Sequence, residues 1–240
     1  MMTQFASEVE NNAGVFEVYR RGLGLTGDNF KALGTLAQTT GKSLESTLDA
    51  VGSQAINMGK QFGISSKLIA GDMASMLGDV ANYGTLSIKQ VSALAVYTRK
   101  LGIEAKELNG VIDSWDNFED AAAGASKLSQ AFGMNIDAMQ MMNESDPGKR
   151  MDMMRESFQA TGKSVEDLSR QELKLLASQM GLSEEAAKKA LSSDLDYDEI
   201  TAGSEDAEAK TISQAEAMKE LADAMKQTFG GGGQGPRQTP

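Results

Sequence analysis

The chain has 240 residues and a net charge of −11, from 23 Lys and Arg against 34 Asp and Glu. It contains neither His nor Cys, which excludes imidazole acid–base chemistry, cysteine nucleophiles, disulfides and zinc sites built from those ligands. Because no stretch is rich in Lys and Arg, the acidic balance also argues against specific nucleic-acid binding.

The composition predicts an all-α protein. Aromatic residues make up only 5% of the chain and Pro occurs 3 times. Residues of high helix propensity dominate, chiefly Ala, Leu, Met, Glu, Lys and Gln. No apolar run approaches the roughly 20 residues that cross a bilayer, and the first residues lack the basic and apolar regions of a signal peptide. We therefore expect no transmembrane segment and no signal peptide.

Glycines that stand between two apolar residues predict helix ends. A Gly that follows a helix adopts the left-handed conformation at little cost, and the next apolar residue folds back onto the last helical turn. The triplets are Leu23-Gly24-Leu25, Phe62-Gly63-Ile64, Leu101-Gly102-Ile103, Phe132-Gly133-Met134 and Met180-Gly181-Leu182.

Polar residues then predict where the next helices begin. A side-chain oxygen just before a helix accepts a hydrogen bond from one of its free N–H groups. Asp146-Pro147 combines such a cap with Pro at the first helical position, and Ser169 with Glu172 fits the capping box. The caps expected after the glycine triplets are Ser65 or Ser66, Asn135 and Ser183.

Apolar residues recur at helical spacing between these boundaries. Two such stripes are Ile69, Met73, Met76, Val80, Tyr83 and Phe118, Ala121, Ala125, Leu128, Phe132. Short one-sided helices must bury their apolar faces against neighbours, so we predict serial helical hairpins. The predicted helices cover residues 6–21, 28–40, 43–61, 66–82, 87–101, 104–114, 117–132, 136–143, 147–160, 169–180, 183–193 and 205–228.

The same pattern suggests four regions. Residues 1–96 form an N-terminal helical region and residues 97–193 a second helical region. Residues 194–229 hold a solvated acidic connector and a terminal helix with the stripe Ala215, Met218, Ala222, Met225, Phe229. The Gly-rich residues 230–240 are expected to be a flexible tail, whose removal should not unfold the protein.

Two short motifs resemble the end of a phosphate-binding P-loop. They are Thr40-Gly41-Lys42-Ser43 and Thr161-Gly162-Lys163-Ser164. The P-loop needs a further Gly five residues before the Gly-Lys pair, where this chain has Leu36 and Ser157. We therefore interpret both motifs as a helix-ending Gly followed by a Ser cap.

Acidic residues suggest two further chemistries. Residues 194–205, with Asp194, Asp196, Asp198 and Glu205, imitate an EF-hand calcium loop, but Glu199 stands where that loop needs Gly. We favour a solvated charge run and leave weak calcium binding open. The carboxylates of a glycosidase could come from Asp113, Asp116, Glu119 and Asp120, but their helical spacing favours a solvated face.

Methionines cluster between residues 134 and 154. Because Met adapts to irregular gaps, the cluster fits a hydrophobic core better than a partner surface. Trp115, the only Trp, is expected to be a packing anchor. The cluster consists of Met134, Met139, Met141, Met142, Met151, Met153 and Met154.

Residues 97–191 carry several of these elements in a fixed order. They are Leu101-Gly102-Ile103, Phe118 with the following Glu-Asp-Ala-Ala, Leu128 with Phe132-Gly133-Met134, Asp146-Pro147, and Leu176-Ala177 leading into Met180-Gly181-Leu182-Ser183. In this order they resemble the helical region of tail tape measure proteins from large contractile-tailed bacteriophages. Residues 15–96 resemble the preceding part of such proteins less sharply.

The resemblance implies a structural virion protein in the lumen of the tail tube, made in the host cytoplasm during assembly. Such a protein sets tail length, binds tail tube and baseplate hub proteins, and is multimeric in the tail. Tape measure proteins are usually much longer, since a helical rod gains only about 1.5 Å per residue. We therefore expect a globular part of one, or a short relative.

No enzyme activity is expected, and no residue is assigned a catalytic, cofactor-binding or metal-binding role. Two other classes remain open. A cellular helical adaptor would form a stable monomer that does not copurify with tail tubes. A tail-associated cell-wall hydrolase would act on purified peptidoglycan.

Overall fold

The computed structural model describes residues 13–209 of the chain. This range contains thirteen α-helices, one 3₁₀ helix at Val165–Asp167 and no strand, which confirms the all-α prediction. The helices are α1 (Ala13–Gly22), α2 (Gly27–Thr40), α3 (Leu44–Phe62), α4 (Ser66–Gly78), α5 (Val80–Tyr83), α6 (Ile88–Leu101), α7 (Glu107–Trp115), α8 (Phe118–Phe132), α9 (Ala138–Asn143), α10 (Pro147–Gln159), α11 (Arg170–Met180), α12 (Glu184–Leu191) and α13 (Tyr197–Ala209).

The five predicted helix-ending glycines all adopt the left-handed conformation. Their φ values lie between 66° and 79°. At three of the triplets the residue after Gly donates its N–H to a carbonyl oxygen five residues back, which satisfies a free carbonyl at the helix end. These bonds run from Ile64 to Gly59, from Ile103 to Thr98 and from Leu182 to Ala177.

Most of the predicted caps are present. Ser183 accepts a hydrogen bond from the N–H of Ala186, Asp146 accepts one from Gly148, and Ser169 forms the capping box with Glu172. The cap predicted at Asn135 is wrong, because α9 begins at Ala138 and Asp137 accepts from its first N–H groups. Ser65 precedes α4 without a side-chain cap hydrogen bond.

Two residues of the predicted apolar stripes lie on the surface instead. The helix predicted over residues 66–82 is interrupted at Asp79, whose side chain accepts from the N–H of Asn82 and starts α5. Val80 follows that interruption and is 45% exposed. Phe118 is 59% exposed because it is the first residue of α8, one turn before the buried Ala121.

The structure corrects the prediction of a solvated acidic connector after Ser193. Helix α13 begins at Tyr197, with the Asp196 carboxylate accepting from the N–H groups of Asp198 and Glu199. The helix is not fully solvated, because Tyr197 and Ile200 are buried. The predicted terminal stripe from Ala215 to Phe229, the tail at residues 230–240 and the helix residues before 13 lie outside the described residues.

Helix α6 lies at the centre of the core. Its residues Val91 to Thr98 are buried, and it packs against α3, α4 and α13. The position between residues 96 and 97, expected to separate two regions, falls inside this helix. On the other side, α8 packs against α7, α9 and α11, while α10 packs against α7, α12 and α13. The buried residues of the described range join into one hydrophobic cluster.

Helix α7 and the end of α11 touch through their backbones. A Cβ atom built at Gly110 would overlap the carbonyl oxygen of Gly181, and one built at Gly181 would overlap the carbonyl oxygen of Gly110. Two glycines therefore allow a contact that no other residue pair permits, since a backbone atom cannot move aside as a side chain does.

We predict that Gly110→Ala lowers the free energy of unfolding by about 2–4 kcal/mol, because the new methyl group forces α7 away from α11. The matched control is Gly71→Ala in α4, where a Cβ meets nothing within 4 Å. That change should raise stability slightly, by up to about 1 kcal/mol, through the lower entropy of the unfolded chain. Urea unfolding followed by circular dichroism measures both. Equal stability of the two variants would contradict the backbone contact.

Candidate functional site

A group of polar side chains lies inside the protein where α6, α10 and α13 meet. We call Tyr97, Asp146, Asp152, Arg155 and Tyr197 the polar junction. All are buried except Asp152, which is partly buried. Buried polar groups are costly unless they are hydrogen-bonded, so their partners decide what this junction does.

One half of the junction joins the start of α10 to the start of α13. The Tyr197 hydroxyl lies 2.9 and 3.0 Å from the two carboxylate oxygens of Asp146 and donates to that group. Asp146 also accepts from the N–H of Gly148 at 2.9 Å. A Cβ at Gly148 would lie 2.5 Å from the Tyr197 ring carbon Cζ. Because residue 148 is Gly and has no side chain, the Tyr197 ring can lie against its backbone.

The other half joins α6 to α10 and α13 through Asp152. The Tyr97 hydroxyl donates to its Oδ1 at 2.9 Å, and the backbone N–H of Tyr197 donates to its Oδ2 at 3.1 Å. Arg155 lies 2.9 Å from Oδ1, one helical turn away on α10. The rings of Tyr97 and Tyr197 also touch, with centroids 5.0 Å apart and planes tilted by 60°.

Burial shifts the titration of these groups. It raises the pKa of Asp146 from 3.8 to about 6, although the hydrogen bonds from Tyr197 and Gly148 act in the opposite direction. Burial likewise raises the pKa of Asp152, opposed by the charge of Arg155. The pKa values of Tyr97 and Tyr197 are raised by burial and by the neighbouring carboxylates, so both phenols remain donors. Both carboxylates of the junction therefore take up a proton at a higher pH than an exposed Asp does.

Arg150 is a buried charged residue outside the polar junction. Its side chain binds the ends of two helices, α7 and α9. Arg150 is only 3% exposed, and its one ion-pair partner at 3.3 Å is the exposed Asp116. Most of its N–H groups donate to backbone carbonyl oxygens, where a positive charge also complements the helix dipoles. These acceptors are Met141, Met142 and Glu144 at the end of α9 and Ile112 near the end of α7.

The surface formed by residues 13–209 includes two open grooves. The larger, of about 470 Å³, lies between the end of α8, α9 and α10, and its lining mixes polar side chains such as Gln140 and Glu156 with Met141 and Met153. The smaller, of about 180 Å³, lies between the α6–α7 turn and α12. In the larger groove the Asp137 carboxylate already serves as the cap of α9.

The carboxylates considered for a glycosidase are all exposed around the turn between α7 and α8. Asp120 accepts a hydrogen bond from the Asn117 amide at 2.6 Å, and Asp116 pairs with Arg150. Among the side chains described, no group of three or more acidic residues could hold a metal ion.

The other sequence motifs occupy local structural positions. Gly41 and Gly162 have φ values of 69° and 72°, and Ser43 and Ser164 accept N–H groups of the segments that follow, as predicted for helix ends and caps. Of the calcium-like residues, Asp198 and Glu205 lie along one helix, α13, rather than around a loop.

The methionine cluster is mostly core, as predicted, although Met139 is 48% exposed. Trp115 is fully buried, and its ring lies 3.5 Å from where a Cβ at Gly124 would be. The fully buried or nearly buried members of the cluster are Met134, Met141, Met151 and Met154.

Sequence reasoning missed Arg150 and the partners of Asp146. No local pattern marks a buried Arg whose acceptors are backbone carbonyls. For Tyr197 a signal existed: Tyr197, Ile200 and Ser204 follow helical spacing within the acidic run. That spacing predicts one buried face of α13.

Comparison with protein-family models, with curated proteins and with solved structures found no match for this chain. Within residues 13–209, none of the helices has the length and apolar character needed to span a bilayer.

We predict that Arg150→Lys lowers the free energy of unfolding by roughly 2–4 kcal/mol, because a lysine keeps the charge but cannot reach carbonyls of two helices at once. The control is Arg20→Lys, an exposed residue paired with Glu17 one turn away, which should change stability by less than about 0.5 kcal/mol. Chemical denaturation compares the two. An Arg150→Lys protein as stable as the control would refute the joining role of the guanidinium.

Asp146 should make stability depend on pH. Below about pH 4 its carboxyl is protonated both in the folded and in the unfolded chain, and above about pH 6 it is ionised in both, at a cost to the folded state. Its stabilising contribution is therefore present at low pH and lost as pH rises through about 6. The stability of the parent protein minus that of Asp146→Asn should fall by up to about 3 kcal/mol between pH 4 and 7. A constant difference across that range would contradict the raised pKa.

Proposed function

We propose that this chain is a non-enzymatic structural module of a bacteriophage tail tape measure protein, which acts through packing and assembly with tail tube and baseplate hub proteins. The observation that carries the proposal is the ordered set of elements over residues 97–191. The all-α fold supports it, since the resemblance implies a helical protein.

The residues that carry the resemblance are mainly those that begin and end helices. Gly102 and Gly181 end α6 and α11 in the left-handed conformation, and Asp146 with Pro147 starts α10. The shared order is therefore an order of helix boundaries along the chain. A likeness of this kind reflects a shared fold more than a shared catalytic site, which fits a structural role.

The module we propose is folded rather than rod-like. Helix α13 turns back onto α3 and α6, so the described residues make one packed body instead of an extended ruler. Such a body would add little to tail length. We therefore assign it to the end contacts of a tape measure protein, with the tube interior or the hub, and place the length-determining rod elsewhere in the assembly.

The charge of the chain bears on its partners. A net charge of −11 favours contact with neutral or basic surfaces and disfavours contact with DNA phosphates inside the tail. Exposed apolar residues, among them Phe118 and Met139, offer contact points without opening the core. We expect the partner surfaces of tube or hub to be apolar with a basic rim.

The test uses particles from the phage or prophage that encodes the chain. Tails are purified and their proteins identified by mass spectrometry before and after DNA ejection is triggered. We expect peptides from residues 13–209 in intact tails and their loss after ejection, together with a tail tube gene upstream and baseplate genes downstream. Host ribosomal proteins serve as the contamination control.

Other outcomes identify the competing functions. Recovery of the chain only as a free monomer, absent from tails and encoded in a metabolic operon, would refute the proposal and favour a cellular adaptor. Clearing of purified peptidoglycan in a zymogram would favour a hydrolase. In that case Asp116→Asn and Asp120→Asn variants would show whether the carboxylates between α7 and α8 are responsible.

A further inference from the structure

Helix α13 is the last helix of the described residues. It follows α12 after residues 192–196, which are not helical, and then packs against α3, α6 and α10. These three helices come from distant parts of the sequence. Between the helical hydrogen bonds at its two ends, from the Ser192 N–H to Lys188 and from the Ile200 N–H to Asp196, this segment makes no helical hydrogen bond, so its backbone can act as a hinge when α13 moves.

Polar contacts hold α13 at both ends of its buried face. At its start, the hydroxyl and N–H of Tyr197 bind Asp146 and Asp152. Two turns later, the backbone oxygen of Ser204 accepts from the Gln54 amide at 2.8 Å, and the same amide also donates to Ser92 at 3.1 Å.

The apolar part of this attachment is small. Tyr197 and Ile200 are the buried apolar side chains along residues 197–205 of α13, whereas α6 buries every residue from Val91 to Thr98. Next to them stands Gly203, where a Cβ would lie 2.8 Å from the Phe62 ring. Since hydrophobic stabilisation scales with buried apolar area, apolar burial holds the described part of α13 less firmly than it holds α6. A helix held in this way can open locally before the whole protein unfolds.

We propose that α13 is a latch that releases from α3, α6 and α10 while the other helices stay folded, and that docking favours the protonated form of the Asp146 side chain, against which the Tyr197 hydroxyl of the docked helix lies. Release removes the Tyr197 phenol from Asp146 and admits water. The proton then leaves to solvent, and the ionised carboxylate is hydrated.

The groups around Asp146 fix the direction of this coupling. Burial, which is the largest effect, and the negative charge of Glu144 raise the pKa of Asp146, whereas the hydrogen bond from the Tyr197 hydroxyl lowers it. Release of α13 removes that bond but also exposes the carboxyl to water. Because burial is the larger effect, release should lower the pKa of Asp146 toward its usual range. On α10 itself, burial also raises the pKa of the partly buried Asp152, and the charge of Arg155 opposes that shift.

Two other polar side chains, Tyr97 and Arg150, do not reverse the effect of pH on the docking of α13. Tyr97 from α6 stays protonated, and the Arg150 guanidinium is bound to helix-end carbonyls. Acid therefore favours the docked latch. A shift of about two pKa units corresponds to an increase in the release equilibrium of up to about 100-fold between pH 4 and pH 7.

The absence of Cys from the chain allows a direct test with single cysteines. Ser204→Cys places a thiol on the buried face of α13, and Ala74→Cys places one in the core helix α4, both positions being fully buried. Ser129→Cys on the exposed face of α8 reports the intrinsic reactivity at each pH. Each protein is labelled with 4,4′-dithiodipyridine under native conditions between pH 4.5 and 7.5. Protection is the labelling rate of the Ser129→Cys protein divided by that of the protein with the buried cysteine.

We expect protection at position 204 to be at least about 10-fold lower than at position 74, because α13 opens without global unfolding. Protection at 204 should fall steeply, by tens of fold, from pH 4.5 to 7.5. Equal protection at 204 and 74 would overturn the latch, and a pH-independent protection at 204 would overturn its coupling to a proton.

Two further variants test whether the proton is bound by Asp146. Asp146→Asn in the Ser204→Cys background should remove most of the pH dependence, whereas Tyr197→Phe should lower protection at pH 7 and leave a pH dependence. A pH dependence unchanged in Asp146→Asn would overturn the assignment to that residue. If Asp146→Asn does not fold, the Ser204→Cys protein still tests the release of α13 and its pH dependence. Asp152→Asn in the same background then tests the assignment, since loss of the pH dependence in that variant would place the proton on Asp152 and overturn it.

Discussion

Satisfying the backbone at helix ends is the constraint on which this fold depends. Each helix leaves several N–H groups free at its start and several carbonyls free at its end. With thirteen helices between residues 13 and 209, these groups are numerous, and they must find partners before the apolar faces can be buried. Left-handed glycines, Ser and Asp caps and the buried Arg150 guanidinium all serve this one requirement.

The local solutions to that requirement are visible in the sequence. A glycine between two apolar residues is sufficient to place the ends of α6, α8 and α11, and Asp146-Pro147 is sufficient to place the start of α10. These predictions succeed because the hydrogen bonds involved join residues within one turn. Phe118 fails as a predicted core residue because periodicity gives the face of a helix and not whether its first turn extends past the neighbouring helix.

The non-local solutions are not visible in the sequence. Arg150 binds the end of a helix 38 residues earlier at Ile112, and Tyr197 reaches Asp146 across 51 residues. Nothing in the spacing of either residue indicates its partner, because tertiary packing alone brings them together. The acidic run after residue 193 illustrates the same limit: its charges indicate solvent on one face of α13, while the few buried residues on the other face decide where the helix lies.

The bond between Gln54 and Ser204 has a consequence for how the protein is made. The two residues are 150 positions apart, so most of the chain must be synthesised before the backbone acceptor of the Gln54 amide exists. During synthesis the ribosome delivers α3 and α6 long before α13. Helices α3 and α6 must therefore leave the ribosome with the face that α13 later covers still exposed to water. Helix α13, the last described helix, completes their burial.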